Sequence, residues 1–515
     1  MAGTVDGHGG GSGTYDVLVI GAGVVGCAVA RELSRYELRI CVLEMEPDVS
    51  LGTSCRNSGV VHSGINYAPG TRRAELCVLG NSMMDALCAD LKVSMKRIGK
   101  LTVALSDSDL PGLYRQREQG LANGTPGMEL MDLDAMRRIQ PGIEGILGLW
   151  TPSSGIISPY GLTIALAENA HANGVDFRLG HRVVGISRAA DGDAFEVLAL
   201  DENCRAPRTF RSRIVVNSAG LYSDEVGGML GAGDGAIWAC RGEYYVLDRR
   251  LDGSLKTLIY PVPGPNDPGL GIHLTPTVDG NILIGPSAVY IPDEDRRDYR
   301  TTAPVMDSLR REGLRLLPGL AAGDFIRSFS GNRPKQTPPE VGGNADFTID
   351  DASVPGFISL QGIESPGLTS SPAIAAEVRD MIGRRIGLKR RSDFRPERLG
   401  FAGCFSRLPL GVRMDMIRSE PDYGEIICRC EGITKKEVRD AIENPLGART
   451  MASIKYRSRA MMGRCQGGFC VPRIVRMLRD EYGYEPEDCV LRGRSSAMFA
   501  GRVRDAGPRR LGAAS

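Results

Sequence analysis

The sequence predicts a chain of α/β plus α+β class. It reads as a nucleotide-binding domain built on a βαβ unit, an antiparallel-sheet domain inserted into it, and a small helical domain at the C-terminus. Three observations predict this. The chain opens with a strand–turn–helix–strand pattern around Gly21-Ala22-Gly23-Val24-Val25-Gly26. Its middle changes to short apolar runs broken by Gly, Pro and Asp-Gly. Near its end four cysteines pair off as Cys428-x-Cys430 and Cys465-x₄-Cys470.

Bulk properties set the frame. At 515 residues the chain is too long for one simple core. A formal charge of +1 gives no bulk reason to bind nucleic acid or a membrane surface. No apolar run reaches the roughly 18 residues of a membrane span. Thirteen cysteines are too sparse for a disulfide scaffold. The first 13 residues, MAGTVDGHGGGSG, lack the apolar core of a secretory signal and the arginines of a transit peptide. The expectation is a reducing, cytoplasmic setting. The nine cysteines outside the C-terminal set read mostly as small buried hydrophobes.

The elements follow in order. YDVLVI at 15–20 is a buried parallel strand, Val24–Tyr36 a helix, and Leu38–Leu43 a second strand ending at Glu44. Ile214–Asn217 is another strand, running into SAGLYSDEV as a second strand-to-helix junction. GEYYVLD and NILIGP, between about 241 and 290, read as antiparallel strands. Residues 371–387 read as a helix with Pro372 in its first turn and Gly387 after its end. The domain layout is a disordered leader at 1–13, a main body at 14–390, a charged linker at 391–424, a cysteine-bearing domain at 425–490 and a disordered tail at 491–515. Within the body, cofactor-binding parts fall at about 14–90, 150–240 and 330–390, and substrate-domain parts at about 91–149 and 241–329.

The front motif has the context that gives it meaning. Gly21, Gly23 and Gly26 allow a tight turn, close approach of a pyrophosphate and close helix–strand packing, as in Rossmann-like folds. The helix N-terminus then stabilises phosphate charge. Glu44, 18 residues past Gly26, is placed to accept a ribose hydroxyl. The motif alone does not separate FAD from NAD. The four cysteines bear on the choice. They suit a 2Fe–2S cluster, with glycines 463, 467 and 468 leaving backbone N–H groups near sulfur. A zinc site and a redox disulfide are the other readings. A cluster moves single electrons, which a flavin releases and a nicotinamide does not, so it favours FAD.

Several stretches then resemble known proteins. TSCRNSGVVHSGINYAPGT (53–71), SGIISPYGLT (154–163), RGEYYVLD (241–248), GIHLTPTVDGNILIGPSA (271–288) and GIESPGLTSSPAIA (362–375) are similar to the D-amino-acid-oxidase superfamily of FAD enzymes, in particular glycerol-3-phosphate dehydrogenases and L-2-hydroxyglutarate oxidases. The C-terminal part resembles the bacterioferritin-associated-ferredoxin-like 2Fe–2S domain, with the C-x₄-C pair of dehydrogenase-fused versions. The resemblance implies that Arg56, Asn57 and Ser58, the Gly220 turn, and Gly367, Leu368 and Thr369 lie at the flavin. It implies that Val183 contacts adenine by its backbone, and that Cys428, Cys430, Cys465 and Cys470 hold the cluster.

Oxidising an alcohol by hydride loss needs a base for the hydroxyl proton and a cation for an acid group. His273 and His62 are the candidate bases, since His8 lies in the leader and His171 and His181 look structural. Arg333, ahead of Lys335 in the Gly/Pro-rich GNRPKQT loop, is the candidate clamp, and Arg241 reads as a strand cap. The implied activity is oxidation of a small anionic hydroxy compound, first sn-glycerol 3-phosphate. L-2-hydroxyglutarate, an opine or imino acid, and a non-catalytic electron-transfer subunit are the alternatives. Electrons would pass to an acceptor protein or a second flavoprotein subunit.

Overall fold

The computed structural model describes residues 13–231, 235–264, 271–317, 319–399 and 403–501. They form two compact units that divide near residue 402. The leader expected at 1–13 falls almost wholly outside the described residues, as does the tail beyond 501.

In the first unit, five parallel strands run in the order Phe357–Gln361, Ala206–Asn217, Tyr15–Ile20, Ile40–Glu44, Asp176–Leu179. Val17, Leu18 and Val19 are all fully buried. Such a strand needs cover on both faces, which is why it reads as a continuous apolar run. Helices Val24–Leu33, Arg72–Leu91, Pro159–Ala172 and Gly367–Ile386 pack together beside the sheet. An antiparallel ribbon, His181–Arg188 with Phe195–Asp201, extends it.

The inserted domain is a nine-stranded sheet. Its strands come from Lys100–Thr151 and from Trp238–Lys335, overrunning the expected parts 91–149 and 241–329, so residues 330–335, read as cofactor-binding, stand on this sheet. Its longest partner pair is Trp238–Leu247 with Phe325–Lys335, antiparallel along nearly their whole length. Arg333 and Lys335 therefore stand on a strand, not in the loop the Gly and Pro residues suggested. Pro334 is tolerated because that strand pairs on one side only, so no ladder bond is lost.

Register fixes the face that matters. Thr102 pairs with Tyr260, His273 with Gly285 and Tyr244 with Phe329. Ile259 opposite Leu274 puts Tyr260 beside His273, and Tyr245 opposite Ile284 puts Tyr244 beside Gly285. Residues in one cross-strand row share a face. Tyr260, His273 and Tyr244 thus form one row, with a glycine gap at 285.

Two boundaries differ from the sequence reading. The late helix begins at Gly367, not 371, so Pro372 is interior. The carbonyl that its missing N–H would have met, on Leu368, accepts the Ser371 hydroxyl at 3.0 Å instead. The early helix stops at Leu33, and Tyr36 bridges to Arg390.

The segment 391–424 is not a free linker. Residues 395–398 are strapped to the first unit. Asn169 Nδ2 donates to the carbonyls of Arg395 and Glu397, both at 3.1 Å, and the Arg31 guanidinium donates to Pro396 O at 3.0 Å. Charge concealed this, because the partners are backbone groups. Farther on, Leu410–Ser419 is helical and belongs to the second unit.

The second unit pairs a short hairpin, Ile426–Cys428 with Ile433–Thr434, with helices Lys435–Ile442, Met451–Ser458 and Val471–Tyr482. Ile427, Ile433, Val438, Ile442, Ile454 and Ile474 fill its core. A capping box between Thr434 and Glu437 starts the first of these helices. Residues 491–501, expected as tail, are partly ordered: Val490 bridges Ala497 around the turn Arg494–Ser496. No helix among the described residues is long and apolar enough to cross a membrane.

Candidate active site and cysteine centre

One cleft of about 270 Å³ in the first unit gathers most of the sequence-selected residues. Its first arm is lined by Gly21, Gly23, Glu44, Ser54 and Gly220. Gly21 has φ +98°, a backbone that side chains rarely adopt, and a Cβ on Gly26 would lie 2.0 Å from Gly21 O. Gly26 therefore does not line the cleft; it lets the helix start close under the turn. That helix has no acidic residue in its first turn and no capping side chain on Gly23. Its Val24 N–H donates to Ser54 Oγ at 2.8 Å. The Glu44 carboxylate accepts the N–H groups of Ala22 at 2.6 Å and Glu46 at 2.8 Å. Burial pushes its pKa up to about 7 against the pull of those two bonds.

The second arm is lined by Arg56, Asn57, Ser58, His62, Tyr244, Tyr260, His273, Arg333, Gly367 and Leu368. Arg56 lies 3.8 Å over the Tyr299 ring and donates to Ser330 O at 3.1 Å. Asn57 Nδ2 donates to Ser54 O at 2.9 Å, and its oxygen accepts Gly59 N–H at 2.9 Å, which fixes this turn. A Cβ on Gly331 would lie 2.0 Å from Arg56 O, so that glycine lets the turn approach the inserted sheet. The late helix also opens here, uncapped by any side chain. Two helix N-termini thus face one cleft, a setting suited to a long anionic cofactor. Thr369 lies behind the wall, buried; its hydroxyl accepts the His62 N–H at 3.0 Å.

His273 is the best-defined group. Its Nδ1 donates to Gly271 O at 2.8 Å, since a carbonyl only accepts. Nε2 therefore carries the lone pair, and it has no partner among the described residues. The ring stacks on Tyr260 at 3.8 Å and 17°. Burial drops its pKa to about 3, so the imidazole is neutral. His62 is likewise held down to about 3, first by burial and then by Lys100 and His273. Its Nε2 lies 3.4 Å from Ser365 Oγ.

Arg333 donates to Ser287 O at 3.1 Å and lies 3.9 Å from Cys240 Sγ. A Cβ on Gly242 would lie 2.6 Å from its Nη2, so the opposing strand makes room for the guanidinium. Lys335 is spent internally, on Gly343 O at 2.7 Å, Asn344 at 2.6 Å and Glu364 at 3.2 Å. Arg241 is no strand cap. It is buried in mid-strand between Glu243 at 3.3 Å and Asp298 at 2.9 Å.

Val183 lies on the ribbon strand, at a bulge next to Gly185, and is not among the cleft residues. Sequence reasoning missed Tyr244, Tyr260, Arg73 and Lys100. The first two were legible only through sheet register. Lys100 left a signal, a lone charge inside the apolar run IGKLTVAL. Its ammonium is buried 5.0 Å from the Tyr260 ring, and burial lowers its pKa to about 7.

In the second unit, the sulfur of Cys430 lies 3.8 Å from that of Cys428 and 3.7 Å from that of Cys465. Cys428 and Cys470 are buried, Cys430 and Cys465 exposed. A Cβ on Gly463 would lie 2.5 Å from Cys430 Sγ. The N–H groups of Phe469 and Gly467 lower the Cys465 pKa, and a hydrogen bond from Cys428 lowers that of Cys470. Cys428 and Cys430 are shifted the other way, Cys428 by its hydrogen bond to Cys470 and Cys430 by burial. Two thiols of the four are thus poised as thiolates, with amides aimed at the Cys465 sulfur, an arrangement that fits a thiolate-held iron–sulfur group. Among the described residues no three His, Cys, Asp or Glu side chains group around a single metal ion.

Comparison with known proteins agrees with both sites. Residues 426–480 match the BFD-like [2Fe-2S] binding domain. The chain is 38% identical to a glycerol 3-phosphate dehydrogenase of Caloramator mitchellensis, over 92% of this chain and 95% of that one. It is 30% identical to human mitochondrial L-2-hydroxyglutarate dehydrogenase, over 73% and 90%. Among solved structures it is similar to L-alpha-glycerophosphate oxidase from Mycoplasma pneumoniae with FAD bound, at TM-score 0.68 and 28% identity, covering 76% of this chain and all of that one. The glycine turn, the cleft with its two helix N-termini and the match of residues 16–381 lead to one conclusion: the chain belongs to the FAD dependent oxidoreductase family, and its cofactors are FAD and a 2Fe–2S cluster.

Proposed function

We propose that the enzyme oxidises sn-glycerol 3-phosphate to dihydroxyacetone phosphate and passes the electrons singly to a partner protein. The observation that carries the reading is the pairing, in one cleft, of a neutral imidazole with a free Nε2 and a half-buried guanidinium. His273 Nε2 takes the proton of the substrate hydroxyl, and Arg333 holds the phosphate by charge-assisted hydrogen bonds. His62 lines the same cleft and orients the alcohol. Bound FAD supplies the hydride acceptor, and the 2Fe–2S cluster supplies single-electron exit. Gly21, Gly23, Val24 and Glu44 hold the dinucleotide. Arg56, Asn57, Ser58, Gly367 and Leu368 surround the ring system, and the four cysteines hold the cluster. Similarity to the glycerol 3-phosphate dehydrogenase over nearly the full length of both chains supports this substrate over L-2-hydroxyglutarate, whose human enzyme matches 73% of this chain.

Anaerobic flavin bleaching tests it. Glycerol 3-phosphate should bleach the flavin absorbance within the mixing time of a turnover experiment, and L-2-hydroxyglutarate or an amino or imino acid should not. Preferential bleaching by any of the others overturns the assignment.

A further inference from the structure

The cysteine unit has two faces. Cys430 and Cys465 are on the exposed one, so that is where an electron leaves. Beside them Phe469 carries two guanidiniums on its ring, Arg429 at 4.2 Å and Arg473 at 4.5 Å. Arg473 is anchored by a bond to Ile426 O at 3.2 Å, and Arg429 is exposed. Residues 453–479 contain seven basic side chains and no carboxylate. Glu431, in the turn of the hairpin after Cys430, is only 4% exposed and is paired with Arg459 at 3.0 Å. The acids Asp422 and Glu481 are engaged by Lys435 and Arg439. Arg459 and Arg479 are paired, with Glu431 and Asp480, and Glu425 is an exposed acid nearby in the chain. The positive feature on the rim beside the exposed cysteines is therefore the pair of guanidiniums on the partly exposed Phe469 ring. Arginine and aromatic residues are the side chains enriched at the centres of protein interfaces, and a ring of one charge sign steers a partner of the other.

We propose that this rim, centred on Phe469, Arg429 and Arg473, docks an acidic one-electron carrier protein. The inference rests on the electron-exit reading above and names the chemistry of its partner. Each encounter moves one electron from the protein to the carrier, which is reduced by one; two encounters clear the two electrons of one substrate oxidation. No bond forms and no proton need cross.

The test uses the full-length holoprotein and an acidic flavodoxin as probe, with basic cytochrome c as its opposite. Binding is measured by calorimetric titration, independent of turnover. Flavodoxin should bind at low ionic strength and weaken steeply with added salt. The double substitution Arg429→Glu, Arg473→Glu should weaken it more than tenfold, and Phe469→Ala several-fold, with glycerol 3-phosphate bleaching and iron content unchanged. Tighter binding of cytochrome c than of flavodoxin, no flavodoxin binding at low salt, or binding indifferent to the charge reversal overturns the proposal. Iron and sulfide analysis of the same samples reports on the cluster separately, so loss of the docking idea and loss of the electron-exit reading are told apart.

Discussion

His273 shows how one hydrogen bond sets a chemical role. The Gly271 carbonyl fixes the tautomer, and enclosure under Tyr260 keeps the ring neutral. A pKa lowered to about 3 means that the folded state stays unprotonated where an unfolded histidine, near 6.5, takes up a proton. Below pH 6.5 the unfolded state binds more protons, so stability falls as pH drops from 6.5 toward 3, by about 1.4 kcal/mol per pH unit for this group. Thermal melts should show this acid-side loss, and it should shrink in His273→Gln. Over the same range kcat/KM should show no protonation limb near 6.5 from His273. His273→Ala should lower kcat at least about a hundredfold, the scale of general-base catalysis, with partial recovery at high pH. The clamp behaves differently. Arg333→Ala should raise KM steeply with FAD retained, because on the proposed reading it holds the phosphate in ground and transition states alike. Gly242→Ala, which places a methyl against that guanidinium, should raise KM about tenfold, or roughly 1.4 kcal/mol, by displacing it. Substrate titrations of flavin reduction check both; unchanged KM in both variants removes Arg333 from the site.

Elements explain what was legible in the sequence and what was not. The first βαβ unit was legible because its strands are buried on both faces and its turn needs glycine at positions where a side chain collides with backbone. The cleft's cofactor arm follows from it. The substrate arm was legible only in part. His273 and Arg333 stood out as polar residues in suggestive stretches, but Tyr260 and Tyr244 join them through strand register, which no local pattern states. The strap at 395–398 escaped notice because, apart from Arg398 on Glu168 at 2.8 Å, it is held through its own backbone groups, which have no sequence signature. It makes a concrete claim about stability. Asn169 is 1% exposed; it accepts from Arg31 Nε at 2.9 Å and donates to two strap carbonyls. Asn169→Ala removes the partner of Arg31 Nε and of Glu397 O, while Arg395 O keeps Asn173 Nδ2 at 2.9 Å, so it should cost about 1–3 kcal/mol. Chemical denaturation checks this, and limited proteolysis should cut the variant near 395–398 first. A loss below about 0.5 kcal/mol would mean that the strap is held by other contacts.

At the scale of the whole molecule, the chain joins an FAD dependent oxidoreductase domain to a 2Fe–2S domain, and on the proposed reading the first takes two electrons from a substrate and the second releases them singly. A flavin enzyme that gives its electrons directly to oxygen has no use for four cysteines gathered on a domain of their own. The two parts are separate compact units with separate cores, so damage to one should leave the chemistry of the other intact. Cys428 is the most informative position. It is buried at the hairpin end, and its sulfur lies 3.8 Å from that of Cys430. Cys428→Ser keeps the shape but replaces a soft thiolate ligand with a hard hydroxyl. Anaerobically purified wild type should contain about two iron and two sulfide per chain, and the variant should contain neither in stoichiometric amount. Glycerol 3-phosphate should still bleach the variant's flavin at the wild-type rate, while re-oxidation by a one-electron carrier protein slows. Stoichiometric zinc without sulfide in the wild type would put a structural metal in place of the cluster. Loss of substrate-driven bleaching in the variant would show that the two units depend on each other for folding.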